Sequence, residues 1–583
     1  MVAHSHKKRL EYMADFETTT DPMDCRVWGW GLVAIDKAEY DNVEIAHTLQ
    51  EFMERVSRHN ANVYFHNLKF DGTFIIDYLL RDGYEYTMSK FKTEPGKFKA
   101  LISNMGKFYS ITVCFKNGKT VEFRDSAKKF PAGFSVDKIG KVFQQDVSKG
   151  ELDYDKPRPV GYVMDDQERD YLIRDILVVA KALQLQFEQG SFKLTVASDS
   201  LADYKKTFGE KRFKRVFPIL PVAMDAEIRL SYRGGFTYAD ERWMGKRQGA
   251  GIVLDVNSLY PSVMRYDLLP YGEPKYQRGR VVTTDQYPLA VFSVTFVAKL
   301  KPNHIPCIQL RGQSLYGNAE YIKKTTQPET LWVTSVDWEL WNEHYEIEVL
   351  SYNGGWTFRA THGLFDDYID KWMAVKASST GGLREIAKMR LNALYGRFGT
   401  NPNVTGKIPT LVNDHVSFEL GPEESRAPVY TAMACFITAY ARQLTIRAAQ
   451  QNYDTFAYAD TDSLHLLRRD TPRTINVHPT DLGAWKFEYA FVEALYVRSK
   501  FYLEKRADGT YHNAAAGIPT HVSGLLTFDD VYEGNVIDRE WVKARTLALT
   551  GSQEAADKAK GKLTPSNVHG GVVLNDAPWT IHF

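Results

Sequence analysis

Tyr458-Ala459-Asp460-Thr461-Asp462-Ser463 lies between the apolar runs Tyr453-Asp454-Thr455-Phe456-Ala457 and Leu464-His465-Leu466-Leu467. The alternation of apolar run, polar turn and apolar run predicts strand, tight turn and strand, with the acids at the tip. Two carboxylates at a spacing of two in near-extended backbone point to one side, where their repulsion is unfavourable unless a cation sits between them. A hard divalent ion such as Mg2+, which takes oxygen ligands, would relieve it. An isolated Asp-Thr-Asp also fits a hydrophilic hairpin tip, so the reading depends on acids elsewhere that complete a site.

Upstream, Gly251-Ile252-Val253-Leu254-Asp255-Val256-Asn257-Ser258-Leu259-Tyr260-Pro261 reads as a buried strand ending in Asp255, then a turn that presents Tyr260. Asp255 with Asp460 and Asp462 makes three carboxylates on adjacent strands, the arrangement that two-metal phosphoryl transfer needs. In Tyr232-Arg233-Gly234-Gly235 the glycines allow close backbone approach. Over residues 382–398 a helix is predicted in which Arg384, Lys388, Asn392 and Tyr395 share one face at about 100° per residue. Two cations, an amide and an aromatic on one stripe suit a nucleoside triphosphate whose base lies against Tyr395 and Gly396. Gly381-Gly382 predicts a flexible lead-in.

Near the N-terminus, residues 10–19 read as a strand carrying Asp15 and Glu17 on one face. Val63-Tyr64-Phe65-His66-Asn67 reads as a second strand, which places Asp71 at a strand end. Residues 168–183 show a helical pattern in which Tyr171 and Asp175, spaced i, i+4, share a face.

The 583 residues, 44% hydrophobic, suffice for three or more domains with sizeable cores. No run of about 18 apolar residues and no signal-peptide core occurs, so a soluble cytoplasmic protein is expected. Four scattered cysteines, Cys25, Cys114, Cys307 and Cys435, argue against a zinc site or disulfide framework and predict buried thiols. A net charge of +1 conceals local segregation. The basic and aromatic residues of 204–215 fit either a solvated face or a phosphate-contacting surface.

The acid pair, the later Asp71 and the Tyr171/Asp175 helix resemble the ligand pattern of DEDD exonucleases, which have a ribonuclease-H-like fold. In that family four carboxylates hold two divalent ions about 4 Å apart, and the tyrosine orients the attacking water. The stretch from Asp255 to Pro261, Lys388 through Tyr395-Gly396, and Tyr458 through Ser463 resemble motifs A, B and C of family B DNA polymerases. More narrowly, Tyr232-Arg233-Gly234-Gly235 and the spacing throughout resemble the protein-primed polymerases of small tailed bacteriophages.

The resemblance implies a ribonuclease-H-like exonuclease followed by a right-hand palm, fingers and thumb with two insertions, a mixed α/β and α+β multidomain class. The expected boundaries are exonuclease 1–195, palm 196–266, first insertion 267–363, fingers 364–399, second insertion 400–431, palm 432–515 and thumb 516–583. The insertions are those the family uses to grip a terminal protein and encircle DNA, although surface elaboration fits the same lengths. The thumb match is loose, with a shorter stretch to Ala516 and a longer tail than in the type member.

Residue by residue, Asp255, Val256 and Asp462 would hold metal, with Asp460 lining the site. Tyr260 would be the gate against ribose, beside Ser258 and Leu259. Lys376, Arg384 and Lys388 would contact triphosphate, with Arg384 standing where the best-known member has lysine. Lys500 and Tyr502 match the motif holding the primer end. Thr18, His66, Asn67, Phe70, Phe74 and Ser126 match single-strand ligands; Ala127 replaces a leucine. Lys149 matches a lysine assisting cleavage. The implied cofactor is Mg2+, two ions per site, with Mn2+ as substitute. The implied partners are primer-template DNA, deoxynucleotides and a terminal protein, the chain acting as monomer or heterodimer in the infected bacterial cytoplasm. A nucleic-acid-primed polymerase and a catalytically dead DNA-binding scaffold are the rivals; the presence of all the expected acids disfavours the scaffold. Asp460-Thr461-Asp462, in place of adjacent aspartates, disfavours an RNA-templated enzyme.

Overall fold

The computed structural model describes residues 9–89, 92–143, 152–154, 156–310 and 321–583. It has the mixed, multidomain class expected. An eight-stranded N-terminal sheet is built around Leu10–Thr18, which is antiparallel to Val27–Ala34 and parallel to Ala61–Phe65. Ala61–Phe65 is in turn parallel to Thr120–Asp125. Strand alternation sends Ala14 and Phe16 into a core with Phe52 and Phe65, leaving Asp15 and Glu17 on the other face. Directly across the strand pair from those acids lie Gly31 and Gly29. A Cβ on Gly29 would come within 1.8 Å of Met164, and one on Gly31 within 2.3 Å of Ile176. Their bare backbone lets the helix Asp166–Glu188 lie against the acid-bearing face.

Asp71 does not end a strand. The strand stops at Phe65, Asn67 turns left-handed with φ 73°, and Asp71 falls in the first turn of the helix Leu68–Arg81. The buried Asp125 carboxylate starts that helix by accepting from the Asn67 and Leu68 amides at 3.1 and 3.3 Å.

The central sheet runs Trp485–Phe491, Gly251–Val256, Ser463–Leu466, Phe456–Asp460, Thr237–Ala239. The upstream arm of the expected hairpin is shorter than its apolar run, because Tyr453–Thr455 forms a 3-10 turn before it. Register sets Asp255 opposite both Ser463 and Lys486, and Asp460 opposite Ser463 and Thr237.

Residues 267–363 carry a four-stranded sheet of their own, formed by Leu269–Gln277, Tyr345–Thr361, Leu289–Leu300 and Glu329–Thr334. Within 400–431 lies a long hairpin, Asn403–Val412 and His415–Ser425, turned by Asn413 and Asp414, both with positive φ. Its tip is tied to two other regions. Asp414 pairs with Arg81 at 2.7 Å and with His569 at 2.7 Å, and the Val416 carbonyl accepts from Asn567 at 2.7 Å.

Three expectations change. Gly381-Gly382 is no flexible lead-in: both begin the helix Gly381–Phe398, and a Cβ on Gly382 would lie 2.4 Å from Phe143 and 2.8 Å from Leu185. The glycine serves close approach between the helix and the N-terminal unit. In 204–215 the aromatics are interior: Tyr204, Phe208 and Phe213 join a ring cluster with Phe217, Phe365 and Phe398, while Lys206, Lys211, Arg212, Lys214 and Arg215 face solvent. The interleaving is helical amphipathicity, so these rings offer no stacking platform for bases. Phe74 is also core, fully buried in the N-terminal unit where Gly571 approaches its ring. All four cysteines are buried free thiols, as expected. Among the described residues no helix is long and apolar enough to cross a membrane.

Candidate active sites

In the N-terminal unit, the strand places Asp15 and Glu17, the helix Leu68–Arg81 places Asp71, and the helix Asp166–Glu188 places Tyr171 and Asp175. Burial first, and the charge of Asp15 second, hold the Asp71 carboxyl well above the usual carboxylate range, opposed by the Phe16 amide donating to it. Burial also pushes the Tyr171 phenol up, followed by the charge of Asp175 and, further down, that of Glu17. The Tyr171 hydroxyl lies 3.0 Å from that of Tyr154. Three elements therefore bring the acids and the tyrosine to one place.

Around them, Thr18 ends the central strand and Asn67 is exposed at the helix start. His66 lies 3.1 Å from the Ser126 hydroxyl and 2.8 Å from the Phe134 carbonyl, and half-buried Phe70 packs against Phe74. Lys149 lies outside the described residues.

In the palm, Asp255 closes its strand and Asp462 follows the turn at Thr461, whose φ is 61°. The Val256 amide donates to the Asp462 carbonyl at 2.8 Å, locking the two acid-bearing segments together. Burial, then the charge of Asp255, pushes the Asp462 carboxyl up to about 7. Asp460 turns toward Thr237 and Lys500, accepting from Thr237 Oγ1 at 2.9 Å and pairing with Lys500 Nζ at 3.2 Å. Lys486 Nζ pairs with Asp255 at 3.0 Å and Glu488 at 3.1 Å. Among the described residues, no three metal-ligating side chains already converge as a ready ion cluster. The donor set nonetheless fits a divalent ion: crowded hard oxygens, one of them pushed up to about 7 by burial and a like charge.

Beside the acids, the rings of Tyr260 and Tyr395 stack with centroids 3.9 Å apart. Lys376 Nζ donates to Ser258 Oγ at 2.9 Å, where Ser258 adopts φ 55° ahead of buried Leu259. Burial, then Arg384, Lys388 and Lys486, lowers the Lys376 ammonium, so four cations crowd this side of Asp255. Asn392 is exposed on the same helix as Arg384, Lys388 and Tyr395.

Arg233 and Tyr502, both expected at the DNA, are buried in this structure. Buried Arg233 donates to the Trp332 carbonyl at 3.0 Å and stacks over Trp341. Tyr502 is 8% exposed among Tyr458, His465 and Tyr496. The Gly235 backbone reaches Thr461 and Tyr260, which a Cβ would meet at 2.7 and 3.1 Å, and Tyr232 abuts Gly399.

Sequence reasoning missed four residues. Arg442 braces the Arg233 and Gly234 carbonyls at 2.7 Å each and pairs with Asp337 at 2.7 Å. Thr237 orients Asp460, Asp125 seats the Asp71 helix, and Lys486 meets Asp255. A lysine beside a Trp and a Phe at a strand start carried no local signal; only cross-strand register reveals it.

An acid-centred palm sheet, with a cation-bearing helix over it and a second acid site on a ribonuclease-H-like sheet, defines a DNA polymerase. Residues 53–478 match the family model for DNA polymerase type B, organellar and viral. The chain is 42% identical to the DNA polymerase of Bacillus phage phi29 over 99% of its own length and 100% of the relative's. To the DNA polymerase of Streptococcus phage Cp-1 it is 30% identical over 92% of this chain and 97% of that one. The structure of phi29 DNA polymerase with primer-template DNA and incoming nucleotide superimposes with a TM-score of 0.89 at 40% identity, covering 99% of this chain and 100% of that one. The chain therefore belongs to the type B DNA polymerases of organelles and viruses.

Proposed function

We propose that the chain extends a primer on a DNA template at the Asp255/Asp462 site and removes 3′-terminal nucleotides at the Asp15/Glu17/Asp71/Asp175 site. The observation that carries this is the presence of two separate acid centres, each assembled from several elements, with Lys376, Arg384, Lys388 and Lys486 gathered beside the palm centre. Asp255, Asp462 and the Val256 main chain would hold divalent ions in the palm, with Asp460 alongside; the four N-terminal acids would hold them in the other site. The ions are Mg2+, two per site, with Mn2+ as substitute; bound, they activate the attacking oxygen and stabilise charge on the leaving one.

Lys376, Arg384 and Lys388 bind the triphosphate, and the Tyr260–Tyr395 stack forms a floor that excludes a 2′-hydroxyl. Asn392, Ser258 and Leu259 frame the same nucleotide. Lys500 guides the primer end through its contact with Asp460, and Tyr502 supports that strand from beneath. Tyr171 orients the exonuclease water, held by Tyr154 and aided by Lys149. Thr18, His66, Asn67, Phe70 and Ser126 receive the frayed strand. The exonuclease, palm, insertion, fingers and thumb segments are proposed at the boundaries given from the sequence.

Initiation on a terminal-protein hydroxyl, followed by strand displacement, is supported by the separate sheet within 267–363 and by the hairpin of 400–431. The hairpin's links to Arg81 and to Asn567 and His569 close a protein path suited to encircling DNA. The chain would act in the host cytoplasm as a monomer or paired with the terminal protein.

The test is extension of a primed circular template with Mg2+ and deoxynucleotides, alongside degradation of single-stranded DNA. Asp255→Ala should remove extension and keep degradation; Asp15→Ala with Asp71→Ala should do the reverse. Loss of both activities in either variant refutes two independent centres.

A further inference from the structure

Lys486 stands directly opposite Asp255 in the sheet register, on the edge strand Trp485–Phe491. A lysine and an aspartate in that relation are cross-strand neighbours by construction, with facing Cβ atoms about 5 Å apart. Its ammonium is shared between Asp255 at 3.0 Å and Glu488 at 3.1 Å, and its side chain remains 34% exposed toward the site. It also belongs to the positive group formed by Lys376, Arg384 and Lys388, which are carried on two helices. The three helix-borne cations and Lys486 thus gather beside Asp255 from three different elements.

We propose that Lys486 is a mobile counter-ion: it neutralises Asp255 when no divalent ion is bound, and swings to the incoming nucleotide's triphosphate when the ion takes the carboxylate. The inference rests on the two-metal reading above. The geometry allows the exchange because a lysine head on a four-carbon stem reorients by rotamer change while its backbone stays in the sheet. A divalent ion on Asp255 draws the carboxylate's charge and repels the ammonium, so metal binding weakens the Lys486–Asp255 pair. The nearest large unneutralised charge is then a triphosphate already facing three cations. Lys486 contributes attraction from the palm side and limits the premature loading of metal without nucleotide.

The experiment compares wild type with Lys486→Met, which keeps the stem, and Lys486→Arg, which keeps the charge. Mn2+ affinity is read by electron paramagnetic resonance without nucleotide or DNA, in an Asp15→Ala/Asp71→Ala background that leaves only the palm site, and KM and kcat for deoxynucleotide on primed template are read in Mg2+. A partly exposed pair of this kind should shift each equilibrium by about fivefold. Lys486→Met should bind Mn2+ about fivefold more tightly and raise the nucleotide KM about fivefold, with a smaller change in kcat. Lys486→Arg should restore most of the KM. Unchanged Mn2+ affinity in a Met variant that melts like wild type overturns the counter-ion role, and an unchanged KM overturns the phosphate role. Failure of the two-metal reading itself would show separately, as Mn2+ binding in the Asp15→Ala/Asp71→Ala background that adding Asp255→Ala leaves intact.

Discussion

The buried ionic node between the N-terminal unit and the helix Gly381–Phe398 makes two neighbouring substitutions act in opposite directions. Lys129 and Arg390 are both sealed from solvent, at 0% and 2% exposure, with the carboxylate of Asp199 paired to Lys129. Lys129 is fully satisfied: besides Asp199 it donates to the Ser191 carbonyl at 2.9 Å and the Lys193 carbonyl at 3.0 Å. Among the described residues Arg390 reaches only the Ser191 hydroxyl, at 2.5 Å, and the Trp372 face at 5.5 Å, and its Nη1 has no hydrogen-bond partner there. Desolvating that guanidinium costs several kcal/mol, against roughly 2 to 4 kcal/mol returned by one charged hydrogen bond and one ring contact. Arg390→Met, which keeps the volume, is therefore expected to be neutral or to stabilise by up to about 2 kcal/mol.

Asp199→Asn removes the countercharge of Lys129, the only one among the described residues, and should cost about 3 to 5 kcal/mol. Burial already pushes the Lys129 ammonium down to about 8, with Asp199 opposing it. Without Asp199 the folded pKa falls further below the unfolded value, and a group lowered in the folded state destabilises more as pH falls beneath the unfolded pKa. The loss should thus be larger at pH 6 than at pH 8.5. Urea unfolding at both pH values, with hydrogen exchange of residues 381–398, reads these changes. A destabilisation above about 1 kcal/mol in Arg390→Met, or a pH-independent effect in Asp199→Asn, refutes the charge argument.

Tyr260→Val removes one ring of the Tyr260–Tyr395 stack and should raise ribonucleotide use at least about tenfold, equivalent to about 1.4 kcal/mol, in competitive incorporation assays. Gly382→Val forces side-chain atoms onto Phe143 and Leu185, should cost about 1 to 3 kcal/mol, and should tilt the cation-bearing helix, raising nucleotide KM more than it lowers kcat. His344 is buried neutral with Nδ1 2.7 Å from the Ile305 carbonyl, and burial lowers it to about 4. The unfolded chain gains that proton first as pH falls, so the first insertion should lose up to about 3 kcal/mol between pH 6.5 and 4, a slope absent in His344→Gln when melting is followed against pH.

The sequence by itself determined what the backbone repeat and the local run of residues control. A two-residue spacing put Asp15 with Glu17 on one face, a four-residue spacing put Tyr171 over Asp175, and a helical stripe joined Arg384, Lys388 and Tyr395. The hairpin at Asp460-Thr461-Asp462 was legible because a turn flanked by apolar runs is a short-range signal. Its two acids part company in space, however: Asp460 goes to Lys500 and Thr237 while Asp462 faces Asp255, since the left-handed Thr461 breaks the extended path that would have aligned them. Tertiary structure alone decided the helical placement of Asp71, the pairing of Lys486 with Asp255, and the burial of Phe74, Arg233 and Tyr502. Most of these depend on partners from about 50 to several hundred residues away: Asp125 for the Asp71 helix, a strand 231 positions on for Asp255, and Gly571 against Phe74. Register and docking minimise the free energy of the whole assembly of surfaces, and no local run of residues carries that information.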